Sequence, residues 1–324
     1  MCTGLSYATR DHYFGRNLDL EFSYNETVTV TPRNFVFEFR KAPTLATHHA
    51  IIGMATIEDG YPLYYDATNE KGLSMAGLNF PENADYKPEA DGLTNITPFE
   101  FIPWILGQFG TVDEVKTALE TLNLVKIDFS EAFPLSPLHW IISDRTTSIT
   151  VECVKDGLKV YDNQVGVLTN NPTFDIQSFN LNNFMHLSKH PPEKNFSDEL
   201  QFDVYSRGMG AIGLPGDLSS ASRFVKVAFT KMNSVAGDSE SESISQFLQI
   251  LGSVAQQRGC VEVSPGKFEI TIYSSCCNTD TGVYYYTTYE NSQVTGVDMH
   301  KEDLDGNTLA AYPLVKGQQV HMQN

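Results

Sequence analysis

The chain has 324 residues, 41% of them hydrophobic and 19% charged, so it is long enough to bury a substantial core. Its 22 lysines and arginines are outnumbered by 40 aspartates and glutamates, which gives a formal net charge of −18. A field of this sign repels nucleic acids and anionic membranes at long range, so neither is expected as a partner.

The first third of the chain has the pattern of β-strands. Residues 27–31 and 35–39 are β-branched or aromatic and roughly alternate, and the turn residues 32–34 between them predict a hairpin. Further strands are predicted at residues 51–55, 63–66 and 73–78.

Helix signals follow. Thr97, Pro98 and Glu100 have the types and spacing of a helix start, and Thr111 with Glu114 has the pattern of a capping box before a second helix. Later strands are predicted at residues 140–143, 149–154, 158–161, 268–273, 282–289 and 293–298, and later helices at 176–187, 220–232 and 243–254.

The order of these elements indicates the fold class. Runs of strands, then helices, then strands favour an α+β protein with layered antiparallel sheets over alternating βαβ units. Helices on both outer faces would make a four-layer αββα sandwich. No linker or repeat interrupts the pattern, so we expect a single domain over residues 1–324.

Compartment and redox state follow from composition. No apolar run approaches the roughly 20 residues of a membrane span, and the first residues lack the apolar core of a secretory signal. The five cysteines are odd in number and match no zinc spacing. We therefore expect a cytoplasmic protein without structural disulfides and without a metal site.

Cys2 is the strongest candidate for a catalytic residue. If Met1 is removed, Cys2 carries both a thiol and a free α-amino group, whose usual pKa of about 8 suits a general base. Nucleophile and base would then share one Cα atom. A cysteine at position 2 can equally be an inert small hydrophobe, so further residues must decide.

Several polar residues lie in otherwise apolar surroundings. Arg16 and Asp19 occur in a strand-like segment, where a surface ion pair is the alternative to a site. Asn79 and Asn170 lie at the ends of predicted strands. Each could be an ordinary turn residue or a hydrogen-bond donor to an oxyanion. Arg223 falls in the first turn of a predicted helix, where a cation opposes the helix dipole and needs a partner elsewhere.

These residues fall within motifs that resemble the choloylglycine hydrolase family of N-terminal-nucleophile hydrolases, and within it the bile salt hydrolases of gut bacteria. The resemblance covers residues 2–312, and the motifs are MCTG at 1–4, FGRN at 14–17 with Asp19, NEKGL at 69–73, AGLNF at 76–80, GVLTN at 166–170, GLPGD at 213–217 and ASRF at 221–224.

The resemblance implies a mechanism without metal or organic cofactor. Cys2 would attack an amide carbonyl, and Asp19 would orient its α-amine. Arg16 and Arg223 would favour the thiolate, while Asn170 with Asn79 would stabilise the oxyanion. The implied assembly is a homotetramer.

The implied substrate is a bile acid joined by an amide to glycine or taurine. Its large apolar body would be held mainly by burial. Candidate pocket walls are Leu18, Leu20, Tyr24, Tyr65, Phe129 and Phe133, each of which could instead be ordinary core. Because Phe129 and Phe133 lie in a polar, loop-like segment, we expect them to form a mobile lip of the pocket.

Three alternatives stay open at this stage. A penicillin V acylase of the same family would use the same mechanism, although such enzymes tend to carry Tyr where this chain has Asn79. A non-catalytic binding protein would retain Met1. A redox role for Cys276 and Cys277 is the third.

Overall fold

A computed structural model describes residues 1–324. The first nine strands are β1 (Cys2–Ala8), β2 (His12–Leu20), β3 (Thr27–Thr31), β4 (Ile51–Glu58), β5 (Tyr61–Asn69), β6 (Ser74–Asn79), β7 (Thr94–Ile96), β8 (Leu122–Leu124) and β9 (Leu138–Ser143). The others are β10 (Ser148–Val154), β11 (Gly157–Asp162), β12 (Val167–Leu168), β13 (Glu262–Ser264), β14 (Lys267–Phe268), β15 (Ile270–Asn278), β16 (Val283–Thr288), β17 (Asn291–Asp298) and β18 (Ala310–Pro313). The α-helices are α1 (Phe101–Gln108), α2 (Val112–Leu119), α3 (Phe174–Asn180), α4 (Ser220–Asn233) and α5 (Glu240–Gly252).

Two antiparallel sheets make up the centre of the molecule. The six-stranded sheet has the order β12-β1-β2-β15-β16-β17, and the eight-stranded sheet has the order β11-β10-β9-β6-β5-β4-β3-β18. They face each other where β1 and β2 meet β5 and β6. Strands β7 and β8 form a small parallel pair, and β13 and β14 a small antiparallel one.

Helices cover both outer faces. The first core cluster, with Leu5, Leu78 and Phe224 among its members, fills the space between the sheets and continues beneath α4 and α5. The second core cluster, with Ile105 and Val115, lies between the eight-stranded sheet and helices α1 and α2. The expected αββα sandwich is therefore confirmed. No helix combines the length and apolar character that crossing a membrane requires.

One predicted hairpin is wrong. Residues 35–39 form no strand, and only Phe37 makes an isolated bridge, to Leu45. Both sides of β3 are taken by β4 and by β18 from the far end of the chain. The alternating aromatic residues instead bury Phe37 in the second core cluster, where it contacts the His48 and Tyr61 rings. A local pattern could not reveal this distant strand partner.

Of the two predicted helix starts, only the second has its full capping box. Thr111 accepts from the Glu114 backbone, and the Glu114 side chain accepts in return. The Thr97 hydroxyl has no partner, and α1 begins only at Phe101. The Glu100 carboxylate is shared between the Thr97 and Arg40 backbone N–H groups, which ties this turn to a distant loop.

The packing of β2 prepares the site. Gly15 lets β15 approach, because a Cβ atom at this position would lie 2.1 Å from the Ser275 carbonyl oxygen. The register between β1 and β2 places Cys2 opposite Leu18 and Gly4 opposite Arg16. The polar residues of β2 are thereby brought to the start of the chain.

Candidate active site

Cys2 is held at the start of β1 by two side chains from distant segments. It is 3% exposed. Its backbone nitrogen donates to Asn170 Oδ1 at 2.9 Å, and its carbonyl oxygen accepts from Arg223 Nη1 at 2.6 Å. The residue is therefore fixed by its main chain.

Arg223 lies at the centre of this cluster. Besides the Cys2 carbonyl, its guanidinium donates to Thr3 Oγ1 at 2.6 Å, to Asn170 Oδ1 at 2.7 Å and to the Leu218 carbonyl at 3.0 Å. Burial lowers the pKa of Arg223, and the charges of Asp19 and Cys2 oppose that shift. These acceptors offset the cost of a cation in the first turn of α4.

Asp19 presents one engaged and one unengaged carboxylate oxygen. Oδ1 accepts from Thr271 Oγ1 at 2.6 Å, whereas Oδ2 is buried without a hydrogen-bond partner. Burial raises the pKa of Asp19 above its usual range, while Arg223 acts in the opposite direction. The Asp19 carbonyl accepts from the Met1 amine at 2.7 Å, so Asp19 borders the start of the chain.

Arg16 is buried beside the same strands. Its Nη1 donates to the Tyr65 carbonyl at 3.1 Å and to the Gly77 carbonyl, and its Nε donates to the Asn17 carbonyl at 3.3 Å. Burial opposes its charge, but the neighbouring anionic groups, Cys2 first among them, raise the pKa of Arg16. Nη2 is buried with no partner, so one donor of this cation is available.

The two asparagines meet each other. Asn170 Nδ2 donates to the Asn79 backbone oxygen at 2.6 Å, and Asn79 is half-buried at the end of β6. Asn170 thus bridges Cys2, Arg223 and the end of β6 in one network. The use of both amides as oxyanion donors stays a prediction.

Glu269 was not predicted as a site residue from the sequence. The Met1 amine pairs with the Glu269 carboxylate, which is 5% exposed, and burial lowers the pKa of that amine. Thr271, the partner of Asp19, is the second residue that was missed. Both lie near the start of β15, far along the chain from the N-terminus, and neither belongs to a motif that signals a site.

The candidate pocket walls divide into two groups. Tyr24 lies 6.4 Å from Phe133, and Phe133 lies 6.4 Å from Phe129, ring centroid to ring centroid, so these three form an aromatic rim. Arg40 donates to the Phe129 carbonyl at 2.7 Å and lies over its ring, which anchors the segment expected to be a mobile lip.

The other wall residues lie deeper. Leu18, 3% exposed, belongs to the first core cluster, and the half-buried Leu20 and Tyr65 pack against that cluster. The Tyr65 hydroxyl is paired with Thr56 Oγ1 at 2.9 Å. A role of these three residues in substrate binding stays a prediction.

Two cavities are lined by residues other than the site residues named so far. One of about 380 Å³ is lined by Phe22, Arg258, Tyr289 and their neighbours, and one of about 600 Å³ lies along β16 and β17. Neither is lined by Cys2 or by a predicted wall residue. No group of three or more His, Cys, Asp or Glu side chains is arranged to hold a metal ion.

The remaining cysteines lie outside the network of arginine, aspartate and asparagine side chains around Cys2. All five are free, and Cys153, Cys276 and Cys277 are buried. Burial raises the pKa of Cys153 to about 11 and that of Cys277 to about 12, and it raises the pKa of Cys276 well above its usual value. These thiols are protonated at neutral pH, which disfavours the redox alternative.

Comparison with known proteins finds similar chains over the full length of this one. A bile salt hydrolase/transferase of Lactiplantibacillus plantarum is 58% identical over 324 residues, covering 100% of both chains. The crystal structure of the C2A mutant of conjugated bile acid hydrolase from Clostridium perfringens superimposes with a TM-score of 0.92, at 43% identity and full coverage of both chains.

A more distant structure shares the fold. Penicillin V acylase from Agrobacterium tumefaciens has a TM-score of 0.76 at 19% identity, with 98% of this chain and 94% of that chain covered. The model of the linear amide C–N hydrolases, choloylglycine hydrolase family, matches residues 2–312. The chain therefore belongs to the choloylglycine hydrolase family of linear amide C–N hydrolases.

Proposed function

We propose that the protein is a conjugated bile salt hydrolase, which cleaves the amide between a bile acid and glycine or taurine. The observation that carries this proposal is the buried network in which Asn170 contacts Cys2 and Arg223 at the start of β1. The names of the relatives that match over the full chain support the same substrate class.

The reaction begins after removal of Met1. The Cys2 thiol passes its proton to its own α-amine, and the sulfur attacks the amide carbonyl. The tetrahedral intermediate collapses as the α-ammonium returns the proton to the departing glycine or taurine nitrogen. Water then attacks the thioester, releases the bile acid and restores the thiol, so no cofactor is consumed.

Unpartnered atoms support the roles of Asp19 and Arg16. Asp19 Oδ2 can accept a hydrogen bond from the new α-amine without breaking its bond to Thr271. Arg16 Nη2 likewise has no acceptor, and a cation beside a thiol favours its thiolate. Buried groups left without partners are costly, so a ligand or reacting group that pairs with them is stabilised.

The oxyanion would lie near the two asparagines. Asn170 Oδ1 is occupied by Cys2 and Arg223, which orients the Asn170 amide relative to the nucleophile. Loss of one oxyanion donor typically costs a factor of about 10²–10³ in kcat. The aromatic rim formed by Tyr24, Phe129 and Phe133 supplies apolar surface for the steroid.

Parallel assays on glycocholate, taurocholate and penicillin V test the proposal. The mature N-terminus is first established by mass spectrometry. We expect Cys2 at the N-terminus and turnover of the two conjugated bile salts well above that of penicillin V. Dominant penicillin hydrolysis would identify an acylase instead, and retained Met1 with no turnover would indicate a binding protein.

We also propose that the chain assembles as a homotetramer. Several large apolar side chains from the end of α3 to the start of α4 are exposed: Phe179, Met185, Phe196, Leu200, Tyr205 and Ile212. Contiguous exposed apolar surface is typical of an assembly interface. Light scattering coupled to gel filtration should give four times the chain mass of 36.1 kDa. A monomeric mass would contradict the proposal.

Two further proposals concern the whole chain. Strands from both ends of the sequence share the eight-stranded sheet, which supports one domain over residues 1–324. Five free cysteines support a reducing, cytoplasmic location.

A further inference from the structure

A fully buried pair, His139 and Glu152, lies behind the catalytic network and takes no part in the chemistry described above. His139 is on β9 and Glu152 on β10, and both side chains are 0% exposed. His139 Nδ1 lies 3.0 Å from Glu152 Oε1. A buried ion pair is weak evidence for stability, since apolar residues of similar volume often serve as well.

The contacts of the pair converge on the segment that carries Asn170. His139 Nε2 lies 2.9 Å from the carbonyl oxygen of Thr169, directly before Asn170. Glu152 Oε1 accepts from the Phe174 N–H at 3.0 Å, four residues after Asn170. The pair therefore holds both ends of the turn that presents this asparagine.

The ring of His139 also contacts the second asparagine segment. Phe80, which follows Asn79, stacks on the imidazole with ring centroids 4.1 Å apart and an interplanar angle of 8°. Asn170 Nδ2 in turn donates to the Asn79 carbonyl. One side chain thus touches both backbone segments from which the proposed oxyanion donors project.

The His139–Glu152 pair takes part in three hydrogen-bond contacts. The Thr169 carbonyl only accepts, and Glu152 Oε1 already accepts from the Phe174 N–H. All three contacts are satisfied by one proton on His139 Nε2 and one proton shared between His139 Nδ1 and Glu152 Oε1. The other oxygen, Glu152 Oε2, is buried without a partner, a cost that packing alone does not explain.

We propose that the His139–Glu152 pair is a positioning element that holds Asn170, and through it the oxyanion site, in register with Cys2. The inference rests on the proposed function. Donors in an oxyanion site act only when correctly placed, and a misplacement of about 1 Å can cost a factor of about 100 in rate. Loss of the pair should therefore lower kcat and leave KM largely unchanged.

The test compares His139→Asn with His139→Gln. The Asn amide can reach only the Nδ1 position, so it loses the Thr169 carbonyl, whereas the longer Gln amide can donate to that carbonyl. Both variants lose the Phe80 stack, so their difference shows which hydrogen bond matters, the one to Glu152 that Asn keeps or the one to the Thr169 carbonyl that Gln keeps. We expect H139N to lower kcat for glycocholate roughly 10- to 100-fold, and H139Q to stay within about threefold of the original chain.

His48→Asn is the matched control. His48 is also buried, with its nitrogens 2.7 and 2.8 Å from the His49 and Phe35 carbonyls, and it also contacts an aromatic ring, but that ring, Phe37, belongs to the second core cluster. It should lower the melting temperature while leaving kcat of the folded protein unchanged. An equal loss of kcat in H48N and H139N would overturn the proposal, because the loss would then reflect general destabilisation.

Glu152→Gln keeps the shape and provides a second test if H139N does not fold. The Gln amide places either its oxygen or its NH2 group at the Oε1 position, so with a neutral ring only two of the three contacts can form, and kcat should fall about tenfold. The alkylation rate of Cys2 by iodoacetamide should not change in either variant, because it needs no oxyanion donor. Full kcat in E152Q, or in folded H139N, would refute the pair's role. Failure of the unaltered protein to hydrolyse glycocholate would refute the proposed function instead.

Discussion

The two ends of strand β2 are equally buried but differ in how their polar atoms are satisfied. At the first end, His12 is 1% exposed and both ring nitrogens are paired, with Ser6 Oγ at 2.9 Å and Thr279 Oγ1 at 2.8 Å. At the second end, Arg16 Nη2 and Asp19 Oδ2 are buried without partners.

The difference separates a structural end from a chemical end. A network whose donors and acceptors are all paired stabilises the fold and has nothing to offer a ligand. Unpaired buried groups destabilise the free protein and gain a partner only when a ligand, a reacting group or a new α-amine arrives. Two cysteines lie on opposite sides of this division. Cys2 pairs with Leu18, near the chemical end of β2, and Cys277 pairs with Phe14, near the structural end.

The largest expected effect distinguishes these two cysteines. Cys2→Ala should reduce hydrolysis of glycocholate by at least about 10⁴-fold, since removal of a nucleophile abolishes the covalent route. Cys277→Ala should retain the original kcat, because its thiol is protonated and buried. Steady-state assays on folded protein measure both. Comparable losses in the two variants would remove the distinction between the ends.

Asp19→Asn tests the chemical end without changing its shape. We expect kcat/KM to fall about 100-fold, because the α-amine loses its orienting acceptor. Since burial raises the pKa of Asp19, ionising it costs stability at neutral pH. The free energy of unfolding of the variant at pH 7, from urea titration, should therefore be equal or higher. Wild-type kcat/KM in this variant would exclude Asp19 from the reaction.

His12→Asn should show the opposite signature. Breaking its paired network should cost about 1–3 kcal/mol of unfolding free energy, with kcat unchanged. Burial lowers the pKa of His12 to about 4. Above pH 6.5 neither state gains a proton, but between pH 6.5 and 4 the unfolded chain binds one and the folded chain resists it.

The pH dependence gives a second measurement of the same group. The original chain should lose up to about 3 kcal/mol from this group as pH falls through that window, and the variant should lack this component. Urea midpoints at a series of pH values provide the measurement. Identical pH profiles would mean that His12 is not the responsible group.

The smallest expected effect lies at the aromatic rim, which continues from the chemical end of β2. Phe133→Ala should raise KM for glycocholate about fivefold with little change in kcat, since an aromatic contact of this kind contributes about 1 kcal/mol. Val235→Ala, at an exposed apolar residue between α4 and α5, is the control for general surface effects. An unchanged KM in F133A would exclude the rim from substrate binding.

The local sequence pattern was enough to predict most of the strands and helices. The apolar and β-branched segments at residues 51–55 and 149–154 became strands β4 and β10, and the Thr111 capping box formed as expected. The hairpin at residues 35–39 failed because the partner of β3 is β18, near the far end of the chain. Strand pairing across such distances depends on the packing of the whole sandwich.

The site likewise contains residues that the sequence predicted and residues that only the structure identified. Position 2 alone marked Cys2, and motif resemblance marked Arg16, Asp19, Asn79, Asn170 and Arg223 as residues of interest. Glu269, Thr271 and the His139–Glu152 pair belong to no motif that we recognised. Their partners lie elsewhere in the chain, so only assembled strands bring them together.

The sequence by itself determined the kinds of groups available and the alternation that places them on sheets. The tertiary structure decided which groups meet and which stay unpaired, as when Arg223 reaches Cys2 across 221 residues. The physical reason is that desolvation and hydrogen-bond pairing depend on three-dimensional neighbours. A buried atom without a partner, such as Asp19 Oδ2, can be identified only after every surrounding strand is in place.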